Sequence, residues 1–153
     1  MIVSFGKHKG KSVGLLVLKE PDYVVWLLSK DDLSGAALSV KNEALRLITI
    51  YDAKPIQRHC YGRECSSQAT RCTVYMTNVF TPMWWCDACD PYQAGANDGK
   101  LQSIKTYQDV LDHISLFCNG HKKSLQDLIK ILASAKGLPE RVRETQVSAF
   151  FGP

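Results

Sequence analysis

Two closely spaced cysteine pairs decide how the middle of this chain folds: Cys60-Tyr61-Gly62-Arg63-Glu64-Cys65 and, after a spacer, Trp85-Cys86-Asp87-Ala88-Cys89. Within the spacer, residues 70–78 alternate and are rich in β-branched and aromatic side chains, and residues 79–85 are typical of a second strand. The pattern predicts a β-hairpin flanked by paired thiols, as in a zinc ribbon or a treble clef. We therefore predict a structural Zn²⁺ bound tetrahedrally by four thiolates. The predicted ligands are Cys60, Cys65, Cys86 and Cys89.

The second cysteine pair also resembles the redox motif of thioredoxins, because a tryptophan precedes Cys86-x-x-Cys89. A redox-active thiol of that type needs the N-terminus of a helix within a βαβ unit to lower its pKa. Here Pro91 and Gly95 follow too soon for such a helix, and no βαβ pattern flanks the motif. Thiol redox chemistry is therefore the weaker alternative.

The ligand set could also be mixed. His59 precedes Cys60 and could replace a thiolate, and Cys118-x-x-His121 has ligand-like spacing for a second metal or a substitution. Cys72 lies inside a strand-like run, so we expect it to be a small buried apolar side chain. Cys118 is expected to be structural as well.

Composition limits the class of protein. The chain has 153 residues, 45% of them hydrophobic, and 19 Lys and Arg against 15 Asp and Glu give a net charge of +4. These values are typical of a folded α+β protein and exclude a disordered tail. No apolar stretch approaches the roughly 18 residues of a membrane span, and the N-terminus lacks the apolar core of a signal peptide. We therefore expect a cytoplasmic protein without membrane association or stable disulfides.

Three segments differ in composition. Residues 1–54 form a basic and aromatic module, residues 55–95 the zinc-binding hairpin, and residues 96–153 a helical segment packed on the rest. The predicted fold class is α+β, a small mixed domain with a zinc-ribbon-like or treble-clef-like hairpin and C-terminal helices. In the last segment, Thr106 with Asp109 and Ser124 with Asp127 predict two helix starts, and Pro139 a third.

The first segment predicts strands over residues 1–5 and 13–18, separated by a tight turn between Gly6 and Gly10. Helices are expected over residues 22–29 and 40–53, the second with Ser39 as its N-cap. The turn would project cationic side chains, and Tyr23 and Trp26 share one face of the first helix. Cations beside aromatic rings suit nucleic acid, because cations meet phosphates and rings stack on bases.

The same stretch resembles a known family. Phe5-Gly6-Lys7-His8-Lys9-Gly10-Lys11 followed by Pro21-Asp22-Tyr23-Val24-Val25-Trp26 is similar to the small C-terminal module of exodeoxyribonuclease X-like proteins. The resemblance covers residues 2–30. It implies a compact accessory domain, often attached to a DEDD-type 3′–5′ exonuclease, with a role on nucleic acid. This chain has no exonuclease domain and no Asp-x-Glu metal site near a strand, so the resemblance concerns the module alone.

Motifs of catalysis are absent from the sequence: it has no P-loop, no dinucleotide-binding glycine motif, no zinc-protease motif and no nucleophile elbow. We therefore predict a non-catalytic nucleic-acid-binding accessory protein with a structural Zn²⁺. The predicted nucleic-acid contacts are Lys7, His8, Lys9, Lys11, Tyr23, Arg58, Arg63 and Arg71. Trp84 is a further candidate for stacking on a base.

A protein–protein adaptor is the alternative, of phage or mobile-element origin, docking on a host machine through the zinc segment or the C-terminal helices. Exposed Trp84 and Trp85 would anchor the partner, because aromatic side chains dominate binding hot spots. The oligomeric state is left open by the sequence.

Overall fold

The computed structural model describes residues 1–90 and 101–153. The described residues form six helices and one three-stranded antiparallel sheet, a small α+β domain as predicted. The helices are α1 (Val13–Lys19), α2 (Pro21–Leu28), α3 (Gly35–Ala53), α4 (Tyr107–Cys118), α5 (Lys122–Ala135) and α6 (Glu144–Phe151). The strands are β1 (Arg71–Tyr75), β2 (Asn78–Trp85) and β3 (Leu101–Ile104).

The predicted β-hairpin is present. Strands β1 and β2 pair antiparallel, with Cys72 opposite Trp84, and an irregularity in the register follows Thr73. Strand β3 pairs with the other edge of β1, so the order in the sheet is β2-β1-β3. The sequence analysis missed β3, because it assigned residues 96–153 to helix and four residues are too few to show a period.

The prediction of a strand over residues 13–18 is wrong, because this run forms helix α1. The Ser12 hydroxyl accepts a hydrogen bond from the backbone N–H of Leu15 at 3.1 Å and so caps the helix. Five residues of α1 are buried, so the helix is apolar almost all round and shows no amphipathic period. The strand predicted over residues 1–5 is reduced to a single bridge between Ile2 and Ser12.

Some of the other predicted helix boundaries agree with the structure and others do not. Helix α2 and the capping box of Thr106 and Asp109 at the start of α4 are confirmed. Helix α3 begins at Gly35, well before the predicted cap. Helix α5 is capped by His121 rather than by Ser124. The last helix begins at Glu144, because residues 139–143 form no helix after Pro139.

One hydrophobic core joins the three compositional segments. Helix α5 is central and packs on α1, α2, α4 and β2. Two buried tyrosines tie the layers together, since the Tyr51 hydroxyl donates to the Ile129 carbonyl and the Tyr107 hydroxyl to the Val17 carbonyl, each at 2.9 Å. The buried Lys136 ammonium donates to three carbonyls at the end of α3, among them that of Tyr51 at 2.8 Å. The last carbonyls of a helix have no partner within the helix, and here the Lys136 ammonium supplies hydrogen bonds to those of α3.

Candidate metal centre and cationic surfaces

The first cysteine pair lies in a narrow loop closed by backbone hydrogen bonds. The Ala69 N–H donates to the Arg58 carbonyl at 2.8 Å, and the Cys60 N–H donates to the Ser67 carbonyl at 2.9 Å. We call residues 58–69 the metal loop. Its Tyr61 N–H donates to the Trp84 carbonyl at 2.8 Å, which joins the loop to the end of β2. The two cysteine pairs are thereby brought to the same end of the hairpin.

Gly62 shapes the centre of the metal loop. Its N–H donates to the Cys60 sulfur at 3.3 Å, and its carbonyl accepts from the Cys65 N–H at 3.1 Å. A Cβ atom at this position would lie 2.6 Å from the Cys89 sulfur and 3.3 Å from that of Cys60. Only glycine therefore lets the backbone approach the sulfurs this closely.

The second pair, Cys86 and Cys89, lies on the turn that follows β2, and this turn is not a helix. The Asp90 N–H donates to the Cys86 carbonyl at 3.2 Å and closes the turn. The thioredoxin alternative needs a helix beginning at the motif, and described residues up to 90 provide none. The expectation about Pro91 and Gly95 lies outside the described residues.

Acidic side chains of this turn hold Arg71. The Arg71 guanidinium lies 2.6 Å from an Asp87 carboxylate oxygen and 3.6 Å from one of Asp90, and it is largely buried. Asp87 also accepts from the Thr70 hydroxyl at 2.5 Å, and Asp90 accepts from the Ser103 hydroxyl at 2.6 Å. Arg71 was predicted to contact nucleic acid, but its charge is used to fix the second cysteine turn on the sheet.

The geometry of the four sulfurs suits one metal ion. All four lie within 4.8 Å of one another, and those of Cys65 and Cys86 are 4.0 Å apart. Metal–sulfur bonds of about 2.3 Å in a tetrahedron give sulfur–sulfur edges of about 3.8 Å. None of these thiols is in a disulfide. Four cysteines therefore form a site where a metal ion could bind.

The hydrogen bonds around the four thiols also shift the pKa values of two of them. Hydrogen bonds from Ser67 lower the pKa of Cys65 to about 7, whereas hydrogen bonds to the neighbouring thiols, first that of Cys86, raise the pKa of Cys89 to about 12. Four anionic sulfurs repel one another at these distances unless a cation lies between them. A divalent ion that prefers sulfur removes the conflict.

The other candidate ligands do not join the four-cysteine cluster. Cys72 is fully buried in the core, as predicted, and burial raises its thiol pKa to about 12. The His121 imidazole caps α5, where its Nδ1 accepts from the Ser124 N–H at 3.4 Å. Neither this histidine, nor Cys118, nor the exposed His59 belongs to the cluster of four cysteines.

The N-terminal turn between Gly6 and Gly10 forms as predicted, with a hydrogen bond from the Lys9 N–H to the Gly6 carbonyl. Lys7 and Lys9 are exposed, and neither forms an ion pair with a described residue. Lys11 is half-buried and lies 3.9 Å from Glu20. The turn therefore presents two free cations rather than the four polar groups expected.

His8 is the inward-facing member of that turn. It is 5% exposed, and its ring lies edge-on to Tyr23 with the centroids 4.6 Å apart. Neither ring nitrogen has a partner among the described residues. Burial, and then the charge of Lys11, lower the pKa of the imidazole. The expectation that His8 contacts a phosphate is therefore corrected: it packs as a neutral ring.

The aromatic face of α2 is partly open. Tyr23 is half-buried and stacks on Trp26, with the centroids 5.5 Å apart, and Trp26 is 43% exposed. The Lys30 ammonium lies 5.9 Å from the Trp26 ring. The exposed aromatic surface at this end of the molecule thus belongs to Trp26 more than to the predicted Tyr23.

The predicted exposure of Trp84 is wrong. Its side chain is 5% exposed, because β2 packs on α5 and the Arg58 guanidinium covers the ring at 5.9 Å. Trp85 is half-buried, with its Nε1–H donating to the Thr73 hydroxyl at 3.0 Å. The alternation of β2 gave no indication of which tryptophan the helix would cover.

A groove that the sequence analysis missed lies beside Trp84. It encloses about 440 Å³ between β2 and the C-terminal end of α5, and exposed Arg58 and Lys130 form part of its lining. The sequence around Lys130 does not predict that this residue lines a groove, because its position there follows from the packing of α5 on β2.

No family model, curated protein or solved structure matches this chain. The similarity of residues 2–30 to exodeoxyribonuclease X-like modules therefore stays a prediction. None of the helices in the described ranges is long and apolar enough to cross a membrane.

Proposed function

We propose that the four-cysteine cluster binds a structural Zn²⁺ and that the protein is a non-catalytic nucleic-acid-binding protein. The proximity of four sulfurs, one from each cysteine, supports the first part. Zinc accepts four thiolates without a demand from its d-electrons, and four protein ligands leave no position for a substrate. The ion would fix the metal loop on the turn after β2.

Exposed cations without anionic partners are the observation that carries the nucleic-acid proposal. Arg58 and Arg63 are exposed on the metal loop, and Lys7 and Lys9 are exposed on the N-terminal turn. None of the four forms an ion pair with a described residue. Such side chains can neutralise phosphates without first breaking an internal ion pair. Lys11 and Tyr23 belong to the same proposed surface, at the edge of the N-terminal turn.

Metal analysis tests the zinc proposal. We expect one equivalent of zinc per chain by mass spectrometry of the purified protein, and its loss in Cys60→Ser. Cys118→Ser is the matched control, because that thiol lies outside the cluster. A zinc content that is unchanged in Cys60→Ser, or zero in the wild-type protein refolded with Zn²⁺, overturns the proposal.

Fluorescence anisotropy with labelled 20-nucleotide single strands and duplexes tests nucleic-acid binding. We expect binding at 50 mM salt that weakens steeply at 200 mM, because each neutralised phosphate contributes a slope of about −0.7 to −0.9 in log–log form. Lys7→Ala and Lys9→Ala should each lower the magnitude of this slope by about 0.7 to 0.9, which is the contribution of one phosphate contact. Lys105→Ala, an exposed lysine after β3, is the control. Absence of binding at 50 mM salt would contradict the proposal of nucleic-acid binding.

A further inference from the structure

The groove between β2 and α5 combines exposed cations with apolar side chains. Its rim bears the exposed cations Arg58 and Lys130, and its walls include the apolar side chains of Pro82, Ile131 and Leu138. A volume of about 440 Å³ is in the range of small-ligand sites. The groove therefore suits a ligand with a flat apolar part and an anionic part.

Neither of the two cations forms an ion pair with a described residue. The Arg58 Nη1–H donates to the Gln57 carbonyl at 2.9 Å, and the guanidinium lies 5.9 Å over the Trp84 ring. These contacts fix the guanidinium without neutralising it. Lys130 forms no ion pair with a described residue, whereas Lys123, two turns earlier on α5, is paired with Asp127 at 2.9 Å. A phosphate at the rim would thus meet two cations at once.

The other polar side chains that line the groove are those of Ser134 and Glu140, both exposed. An ionised carboxylate only accepts hydrogen bonds, so Glu140 would select a ring that carries an amino group. Cytosine offers its N4 amino group to such a carboxylate, whereas thymine presents carbonyl oxygens on that edge.

We propose that this groove binds one nucleotide of a single strand, with its phosphate between Arg58 and Lys130 and an amino-bearing base against the apolar wall. The inference rests on the proposed nucleic-acid function and names where and in what form the strand binds. A duplex is disfavoured, because a paired and stacked base cannot enter a groove without leaving the stack.

Charge reversal on one helix tests the position of the phosphate. We expect Lys130→Glu to weaken binding of an eight-nucleotide oligo(dC) about tenfold at 100 mM salt, and Lys123→Glu to weaken it less than twofold. Ser134→Trp should weaken binding by a similar tenfold while leaving every charge in place, because the indole fills the groove. Zinc content and thermal melting of each variant confirm that it folds.

Base preference tests the position of the ring. Wild-type protein should bind oligo(dC) about threefold or more tightly than oligo(dT) at pH 7.5, and Glu140→Gln should reduce this ratio. If wild type binds both oligonucleotides but Lys130→Glu behaves like Lys123→Glu and Ser134→Trp binds like wild type, the groove proposal is overturned and nucleic-acid binding stands. If wild type binds nothing at 50 mM salt, both proposals fail.

Discussion

The metal loop and the N-terminal turn are both short, glycine-containing loops with cations, yet they relate to their sequences in opposite ways. In the metal loop, the cysteine spacing determines the arrangement, because four thiols and the close approach of Gly62 leave few ways to close the loop. In the N-terminal turn, the glycines permit the turn but do not determine which side chain faces inward. His8 is buried there, between two exposed lysines. A cluster of four cysteines is therefore a stronger constraint on a loop than a pattern of charges.

Removal of one cysteine should produce the largest effect. Cys60→Ser would leave the proposed zinc site with three ligands, and structural zinc sites contribute about 10–16 kcal/mol of binding free energy in zinc-finger peptides. We expect the free energy of unfolding to fall by about 5 kcal/mol, and the melting temperature by roughly 10 °C or more. Calorimetry at pH 7.5 measures this. Cys118→Ser, the control, should melt within about 3 °C of wild type, and equal losses in both variants would contradict a metal role for the loop.

Gly62→Ala should have the next largest effect. The added methyl group would lie 2.6 Å from the Cys89 sulfur, so the metal loop must move away from the second cysteine pair. We expect zinc affinity to fall about 10- to 100-fold, as for other groups that orient metal ligands. Competition with a chromogenic chelator measures the affinity. Ser66→Ala, an exposed position of the same loop, provides the comparison, and unchanged affinity in Gly62→Ala would show that the loop is not held by the sulfurs.

Trp26→Ala tests whether the N-terminal end binds nucleic acid through its aromatic face. Stacking of one base on an aromatic side chain contributes about 1–3 kcal/mol, so we expect about fivefold weaker binding of a single strand. Stability should change little, because Trp26 is 43% exposed. Val25→Ala, at the neighbouring and equally exposed position, should bind normally. Equal affinities of the two variants would remove Trp26 from the binding surface.

His8→Phe should have the smallest effect and one of unusual sign. The folded-state pKa of His8 is lowered, so the unfolded chain binds more protons and stability falls as the pH drops below about 6.5. Phenylalanine keeps the packing on Tyr23 and removes two buried nitrogens without partners, so we expect a gain of up to about 1 kcal/mol at pH 6.

The measurement is urea unfolding between pH 6 and 8. His8→Phe should show a shallower loss of stability toward pH 6 than wild type, because the buried imidazole that disfavours protonation is gone. A destabilised His8→Phe with an unchanged slope would mean that the imidazole is paired in solution.

Much of the architecture could be predicted from local patterns. The hairpin, helix α2, most of α3 and the capping box of α4 follow from alternation, a proline at the helix start and a reciprocal side-chain pair. The errors fall where local patterns are weak. Helix α1 is apolar on nearly every side, so its length suggested a strand, and β3 is only four residues long.

By itself, the sequence determined the α+β class and the four-cysteine cluster, because spacing along a short hairpin restricts where thiols can lie. It also determined that cations concentrate on the N-terminal turn. Only the tertiary structure decided which side chains those loops present. Packing of α5 on β2 buries Trp84 and places Lys130 and Arg58 along the same groove, and two acidic side chains neutralise Arg71. Burial and ion pairing depend on elements distant in sequence, so no local pattern encodes them.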